Sequence, residues 1–214
     1  MTMIVTVDGP SGTGKSTVSR AVAGATGLPH LDTGAFYRAA TLAVLEAGAD
    51  PDDAHGVESV AGRLELDQVD GITLMDGRDV SARIRDQDVS QAVSAVSAHP
   101  GVRALLVTLQ RRWVERHGGR AVVEGRDIGS VVFPEADLKV YLDARPGVRA
   151  MRRALERGED PSEVARAIER RDRLDSTRDT SPLTVPDGAV VVDTSEMTFE
   201  EVVDRVAGLV TARS

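Results

Sequence analysis

Short apolar runs alternate along the chain with longer segments of helical periodicity. Continuous apolar runs of this length are typical of strands that are buried on both faces. We predict strands at residues 3–7, 121–123, 138–142 and 189–192. We predict helices at residues 15–25, 33–47, 90–98, 102–116, 146–157, 162–175 and 198–212. Strands that alternate with helices indicate an α/β fold with a parallel sheet covered on both faces.

The middle of the chain has a different pattern. Residues 63–69 alternate polar and apolar side chains, and residues 72–75 form a second short apolar run. Asp70-Gly71 between them is a hairpin turn signal, and Asp76-Gly77 predicts a further turn. We therefore predict a small antiparallel insert in this part of the chain.

Composition narrows the function classes. The 214 residues suffice for one domain with a sizeable core, and the net charge of -8 disfavours a nucleic-acid partner. The absence of cysteine excludes disulfides, zinc thiolate sites and cysteine nucleophiles. The apolar run at residues 3–7 is too short for a signal peptide or a membrane span. We expect a cytoplasmic protein that does not bind membranes.

A glycine-rich segment follows the first predicted strand and opens the first predicted helix. Gly9-Pro-Ser-Gly-Thr-Gly14-Lys15-Ser16 matches the phosphate-loop pattern, in which glycines let backbone N–H groups wrap around phosphate oxygens. Lys15 can reach the β- and γ-phosphates of a nucleotide, and the Ser16 hydroxyl can bind Mg²⁺. The chain has only two lysines, so a lysine at this position is informative. The predicted ATP-binding residues are Gly9, Pro10, Ser11, Gly12, Thr13, Gly14, Lys15, Ser16 and Thr17.

A phosphate loop alone does not distinguish a kinase from a GTPase switch or a motor ATPase. Guanine-specific switches read the base with an Asn-Lys-x-Asp motif, and this chain contains no asparagine. The chain is also short for an ATPase coupled to a larger machine. Among P-loop proteins, the small nucleoside monophosphate kinases and their relatives remain as candidates.

Three further segments resemble the signatures of bacterial cytidylate kinases. They are Asp32-Thr-Gly-Ala-Phe-Tyr-Arg38, Glu124-Gly-Arg-Asp-Ile-Gly129 and Arg171-Asp-Arg-Leu-Asp175-Ser-Thr-Arg178. The blocks at residues 94–103 and 131–134 are similar to that family in order and spacing. The resemblance runs from about Ile4 to Val206, which is nearly the whole chain.

This resemblance implies an architecture. The family has a P-loop NTPase-type three-layer fold with a five-stranded parallel sheet, a helical lid and a small antiparallel insert. We expect one kinase domain whose core comprises about residues 1–60, 100–156 and 183–214. The insert that binds the nucleoside monophosphate would comprise about residues 61–99, and the lid about residues 157–182.

The resemblance also implies the roles of individual residues. Thr33 and Arg38 look like contacts to CMP, although the family often has serine where Thr33 stands. Ser94, Arg103 and Asp127 resemble the residues that read cytosine, with Arg126 beside them near phosphate. Arg171, Asp175 and Arg178 resemble lid residues that reach sugar and phosphate. The implied catalytic residues are Lys15, Arg126, Arg171 and Arg178.

Two of these roles have simpler alternatives. Cytosine presents an exocyclic amino donor, for which the Asp127 carboxylate is a natural acceptor. Uracil has a carbonyl at that position, and a site built around a buried polar group rejects such an analogue. Asp127 could instead cap a helix or pair with Arg126. Arg171 and Arg178 could belong to a solvated helix face, because nearly all basic residues of this chain are arginines.

The predicted activity is transfer of a phosphoryl group from ATP to CMP or dCMP in pyrimidine nucleotide metabolism. Mg²⁺ would be the cofactor, with Ser16 as its protein ligand, and the enzyme would be a monomer whose partners are nucleotides. The family often has aspartate where Glu124 stands, a position for which the resemblance implies a water-mediated role at Mg²⁺. Two alternatives remain open: a small P-loop kinase that acts on dTMP, AMP or shikimate, and a regulator that binds nucleotide without rapid turnover.

Overall fold

The computed structural model describes residues 2–177 and 183–213. Two compact units divide the chain, one comprising Met1–His30 with Gly118–Ser214 and the other Leu31–His117. Arg178 and the other residues of 178–182 lie outside the described residues, so the prediction for Arg178 stays a prediction. The ranges predicted for the insert and the lid also stay predictions.

A five-stranded sheet organises the first unit. Four of its strands lie within that unit: β1 (Met3–Asp8), β6 (Arg120–Glu124), β7 (Leu138–Asp143) and β8 (Val190–Asp193). The fifth strand, β2 (His30–Asp32), begins at the last residue of the first segment of that unit, and the strand order is β2-β6-β1-β7-β8. The central strand β1 runs parallel to β6 and β7, which places Val7 opposite Glu124 and Asp8 opposite Tyr141. β8 runs parallel to β7. The predicted parallel sheet is confirmed, and the segments that follow β1 and β6 leave the same edge of it.

Apolar side chains cover this sheet. The helices of the first unit are α1 (Lys15–Thr26), α6 (Pro146–Arg157), α7 (Pro161–Ser176) and α8 (Phe199–Thr211). Mostly valine and leucine side chains from the sheet strands pack with those of α1 and α8 in one buried cluster. Thr198 and Glu201 form a capping box that starts α8. α6 and α7 share a separate small cluster formed by Ala154, Val164 and Ile168.

The second unit contains the predicted antiparallel insert, β3 (Leu66–Val69), β4 (Ile72–Met75) and β5 (Arg78–Asp79). Its helices are α2 (Thr33–Glu46), α3 (Ala54–Ala61), α4 (Gln87–Val96) and α5 (Pro100–Arg116). The sequence analysis missed α3. Asp53 caps this short helix, and burial of Val57 and Ala61 against the rest of the unit holds it.

Within the described ranges, no single helix is long and apolar enough to cross a membrane. Only α4 and α5 together, bent by 104° where they meet, reach that length and composition.

Candidate active site

The phosphate loop connects β1 to α1, and two of its glycines meet backbone from other parts of the unit. Gly9 has a φ of 146°, and a Cβ there would lie 2.1 Å from the Leu142 carbonyl oxygen. Gly12 has a φ of 79°, and a Cβ there would lie 2.9 Å from the Arg149 carbonyl oxygen. Only glycine fits both the positive φ and the available space. The loop is therefore held tightly between β7 and α6.

Lys15 lies at the first position of α1, as the motif requires. Its Nζ donates to the Pro10 carbonyl at 2.6 Å, which holds the ammonium group inside the loop. Burial and the positive charges of Arg126 and Arg171 hold the pKa of Lys15 well below its usual value, although Glu124 opposes this shift. Anionic phosphates in the loop would relieve the repulsion among these cations.

Ser16 and Glu124 bring two oxygen groups together beside the loop. The Ser16 hydroxyl donates to Glu124 Oε2 at 3.0 Å, and Glu124 is buried at the end of β6. His30 Nε2 lies 3.7 Å from the other carboxylate oxygen of Glu124. The described residues contain no cluster of three or more metal-binding side chains. A hydroxyl and one carboxylate fit a magnesium ion that takes its remaining ligands from phosphates and water.

Asp8 ends β1 and anchors the segment that follows β6. Its two carboxylate oxygens accept hydrogen bonds from the backbone N–H groups of Ile128 and Gly129, both at 2.8 Å. Burial raises the pKa of Asp8 to about 6, against the lowering effect of these two hydrogen bonds, and the nearby Asp127 carboxylate raises it further. Asp8 thus fixes the turn that carries Arg126 and Asp127.

This turn continues into a π-helical segment, Ile128–Val132, a rare conformation that often occurs at functional sites. The Asp127 carbonyl accepts from Val131 and Val132 N–H groups at 2.9 and 3.3 Å. Asp127 itself is 3% exposed, and its side chain makes no capping hydrogen bond to the segment. Asp127 thus stands at the cap position without a side-chain cap, and its role in reading cytosine stays a prediction.

Arg126 connects the phosphate loop with the acidic side chains of α7. Its Nη1 donates to the Gly9 carbonyl at 2.9 Å, and its Nε lies 3.4 Å from Asp175 Oδ2. Asp175 is buried and also lies 3.9 Å from the Nε of Arg171. The structure thus brings three predicted site residues, Arg126, Arg171 and Asp175, together next to the loop.

Two residues that the sequence analysis missed also contact the loop. Arg149 of α6 donates through Nη1 to the Ser11 carbonyl at 2.9 Å. Asp172 of α7 accepts from the Ser11 N–H at 3.1 Å and pairs with Arg149. In a chain whose basic residues are nearly all arginines, no pattern around Arg149 distinguished it from a surface arginine.

The predicted CMP contacts of the second unit begin on α2. Thr33 is buried at the first position of this helix, where the preceding Asp32 accepts from the Ala35 N–H as the N-cap. Arg38 is also buried, and its Nη1 donates to the Ile84 carbonyl at 3.1 Å and to Ser90 Oγ at 2.9 Å. These bonds fix one edge of the Arg38 guanidinium group.

Ser94 and Arg103 lie on neighbouring helices of the same unit. Ser94 is half-buried on α4. Arg103 is buried on α5, donates to the Ser97 carbonyl at 3.2 Å and places its guanidinium carbon 5.3 Å from the centre of the Tyr37 ring. A cation over an aromatic face is held in one orientation, so Tyr37 orients Arg103.

A buried glutamine of the insert supports the start of α2. The Gln68 side-chain amide accepts from the Asp32 N–H at 2.9 Å and donates to the Asp32 carbonyl at 2.8 Å, so it satisfies both backbone groups of that residue. The Gln68 carbonyl accepts from Trp113 Nε1 at 3.0 Å. Trp113 is buried and stacks on His117, so it packs inside the second unit.

Comparison with known proteins gives a family for this chain. The family model described as cytidylate kinase matches residues 5–212. A cytidylate kinase of Mycobacterium leprae (strain Br4923) is 48% identical over 217 residues, which cover 99% of this chain and 97% of that protein. A cytidylate kinase of Rhodococcus opacus (strain B4) is 49% identical over 221 residues, which cover 99% of this chain and 96% of that protein.

Solved structures resemble the fold at much lower identity. Shikimate kinase from Bacteroides thetaiotaomicron matches with a TM-score of 0.50 and 13% identity over 98% of each chain. TT1252 from Thermus thermophilus matches with a TM-score of 0.51 and 22% identity over 99% of this chain and 97% of that one. These likenesses concern the fold alone, and they agree with the predicted P-loop kinase architecture.

Proposed function

The chain belongs to the cytidylate kinase family, and we propose that it transfers the γ-phosphoryl group of ATP to CMP, with dCMP as a further acceptor. The match to the family over residues 5–212 is the observation that carries this proposal. The geometry supports it, because the phosphate loop and the turn with Arg126 and Asp127 leave the same edge of the sheet. Ligands of open α/β sheets bind at this edge.

The reaction needs no catalytic base. The phosphate of CMP is largely a dianion at neutral pH, because its second pKa is about 6. One of its oxygens attacks the γ-phosphorus of ATP, the bond from that phosphorus to the β,γ-bridging oxygen breaks, and ADP leaves. The protein therefore contributes alignment and charge compensation.

Residues of the first unit act on the phosphates in this proposal. Gly9–Thr17 hold ATP through the backbone N–H groups of the loop, apart from Pro10, which has none, and Ser11, whose N–H donates to Asp172, and through the positive end of α1. Lys15, Arg126 and Arg171 offset charge on the transferring group, and Arg178 joins them from the lid. The cations around Lys15 support this assignment, because the charges of Arg126 and Arg171 lie close enough to add to the effect of burial in lowering the pKa of Lys15.

The acceptor nucleotide is recognised mainly by residues of the second unit. Thr33 and Arg38 contact CMP, and Ser94 and Arg103 read cytosine together with Asp127. The burial of Asp127 supports this role, because a buried carboxylate rejects a base that presents an acceptor to it. Asp175 reaches the sugar from α7.

The proposal also includes a magnesium ion, a cytoplasmic location, a monomeric state and a lid. Mg²⁺ would supply positive charge that offsets the negative charge of the ATP phosphates. The Ser16 hydroxyl would hold the ion, with the neighbouring Glu124 carboxylate beside it. The enzyme acts as a monomer in the cytoplasm, where nucleotides are available, and binds neither nucleic acid nor membranes. Residues 157–182 close over both nucleotides as a lid.

A coupled assay of ADP formation tests this function. The purified protein is given ATP, Mg²⁺ and one acceptor at a time: CMP, dCMP, UMP, AMP, dTMP or shikimate. We expect the highest kcat/KM with CMP, followed by dCMP. Faster phosphorylation of AMP, dTMP or shikimate would show that the acceptor is wrong, and slow turnover with all of them would favour a nucleotide-binding regulator.

A further inference from the structure

The Ser11 peptide of the phosphate loop is held from both sides by one ion pair. Arg149 Nη1 donates to the Ser11 carbonyl at 2.9 Å, and the Ser11 N–H donates to Asp172 Oδ1 at 3.1 Å. Arg149 also donates to Asp172 Oδ2, which closes the ring of hydrogen bonds. We refer to Ser11, Arg149 and Asp172 as the Ser11 clamp.

The clamp joins three elements that are distant in sequence. Arg149 is anchored within its own surroundings, because its Nε donates to the Ala144 carbonyl at 3.1 Å. Asp172 lies on α7, directly after Arg171 and one helical turn before Asp175. The clamp therefore joins this part of α7 to the phosphate loop in the arrangement that this structure shows.

Burial makes this pair sensitive to substitution. Arg149 is 8% exposed, and the Asp172 side chain is 17% exposed. Charge-assisted hydrogen bonds are strong in such surroundings, and removal of one partner leaves the other charge poorly compensated. Asp172 also lies 3.9 Å from Arg126 Nη1, so it shares in compensating a second cation at the loop.

We propose that Arg149 and Asp172 are positioning residues that hold α7 on the phosphate loop, so that Arg171 and Asp175 are aligned for phosphoryl transfer. Neither residue needs to touch a nucleotide in this role, since both act through Ser11 and through the backbone of α7. The inference rests on the proposed function, because it concerns the alignment step of that reaction.

Two single variants test the clamp by steady-state kinetics with ATP and CMP. Asp172→Asn keeps the size of the side chain but removes the negative charge that pairs with Arg149. Arg149→Lys keeps the charge, but one ammonium group cannot reproduce the planar fork that contacts Ala144, Ser11 and Asp172. We expect kcat to fall about tenfold to a hundredfold in each, the range that small misplacements of reacting groups produce. The KM for CMP should change far less.

A matched control and a double variant separate positioning from general effects. Glu169 lies on the same helix and pairs with Arg173 at 3.3 Å, with both side chains 73% exposed. Glu169→Gln should leave kcat unchanged. If the pair acts as a unit, the double variant Asp172→Asn with Arg149→Lys should be no slower than the slower single variant. Rates are compared at a temperature at which unfolding curves show every variant fully folded.

Amide hydrogen exchange at Ser11 provides a readout that does not depend on turnover. In the wild-type protein the Ser11 N–H should be protected, and Arg149→Lys and Asp172→Asn should both increase its exchange, whereas Glu169→Gln should not. Losses of kcat that multiply in the double variant, or a Ser11 N–H that exchanges equally in all variants, would overturn the clamp. A wild-type protein that does not phosphorylate CMP would refute the proposed function instead, and the exchange at Ser11 would still decide the inference.

Discussion

The buried carboxylate of Asp8 should make the stability of this protein depend on pH in an unusual direction. Its pKa is raised from 3.8 to about 6, mainly by burial. The native state therefore binds more protons than the unfolded chain between these two values. By linkage, the contribution of Asp8 to stability is fully present below pH 3.8 and is lost as the pH rises through 6.

The size of this effect follows from the pKa shift. A shift from 3.8 to about 6 corresponds to about 3 kcal/mol, because one pKa unit is worth 1.36 kcal/mol. For a chain of this length, that is a change of about 6 to 12 °C in Tm. Asp88, whose pKa the Arg83 hydrogen bonds lower to about 2, acts in the opposite direction but only at lower pH. The two effects therefore fall in different pH ranges.

The assay is urea unfolding at a series of pH values from 4 to 7.5. Asp8→Asn removes the titrating group, so the difference in unfolding free energy between wild type and variant isolates Asp8. The unfolding free energy of the wild type should fall, relative to that of the variant, by about 2–3 kcal/mol between pH 4 and pH 7. Asp187→Asn, on an exposed turn, is the control and should follow the wild type at every pH. Curves for wild type and Asp8→Asn that stay parallel would show that Asp8 ionises without cost, and the reasoning from burial would be wrong.

Three further predictions concern other parts of the molecule. Lys15→Ala should lower kcat by at least about a hundredfold, because charge stabilisation is lost, and should leave Tm nearly unchanged; a near-normal rate in the coupled assay would exclude phosphate-loop chemistry. Asp127→Asn should reduce discrimination between CMP and UMP by about 1–3 kcal/mol in the ratio of kcat/KM values, and an unchanged ratio would place Asp127 outside the base pocket. Gln68→Leu removes the side chain that pairs with the buried backbone N–H and carbonyl of Asp32, so the free energy of unfolding should fall by about 1–3 kcal/mol. Urea unfolding followed by Trp113 fluorescence measures this, and an unchanged midpoint would contradict it.

Features that depend on near neighbours along the chain could be predicted from the sequence. The phosphate loop lies between β1 and α1 as its motif requires, and Asp70-Gly71 turns the hairpin of the insert. Asp32 caps α2 at the start of the helix predicted at residues 33–47. In each case the backbone conformation is set by residues a few positions apart, through glycine geometry, side-chain capping or the alternation of polar and apolar positions.

The resemblance of short segments to a family added the residues of the candidate site, but it did not give their surroundings. Arg126 and Asp175 could be anticipated as site residues, whereas the ion pair between them, at 3.4 Å, could not. The short helix α3 was missed because it contains Gly56, which weakens helical propensity, and its stability comes from packing.

Only the tertiary structure decided which polar side chains support the loop. Asp8 contacts Ile128 and Gly129 across 120 and 121 positions of sequence, and Asp172 contacts Ser11 across 161 positions. No local period or spacing encodes such pairs, because they form where separate strands and helices meet. Burial then determines how much each pair matters for stability. The same Asp or Arg on the surface would be hydrated, whereas at these positions it needs a partner inside the protein.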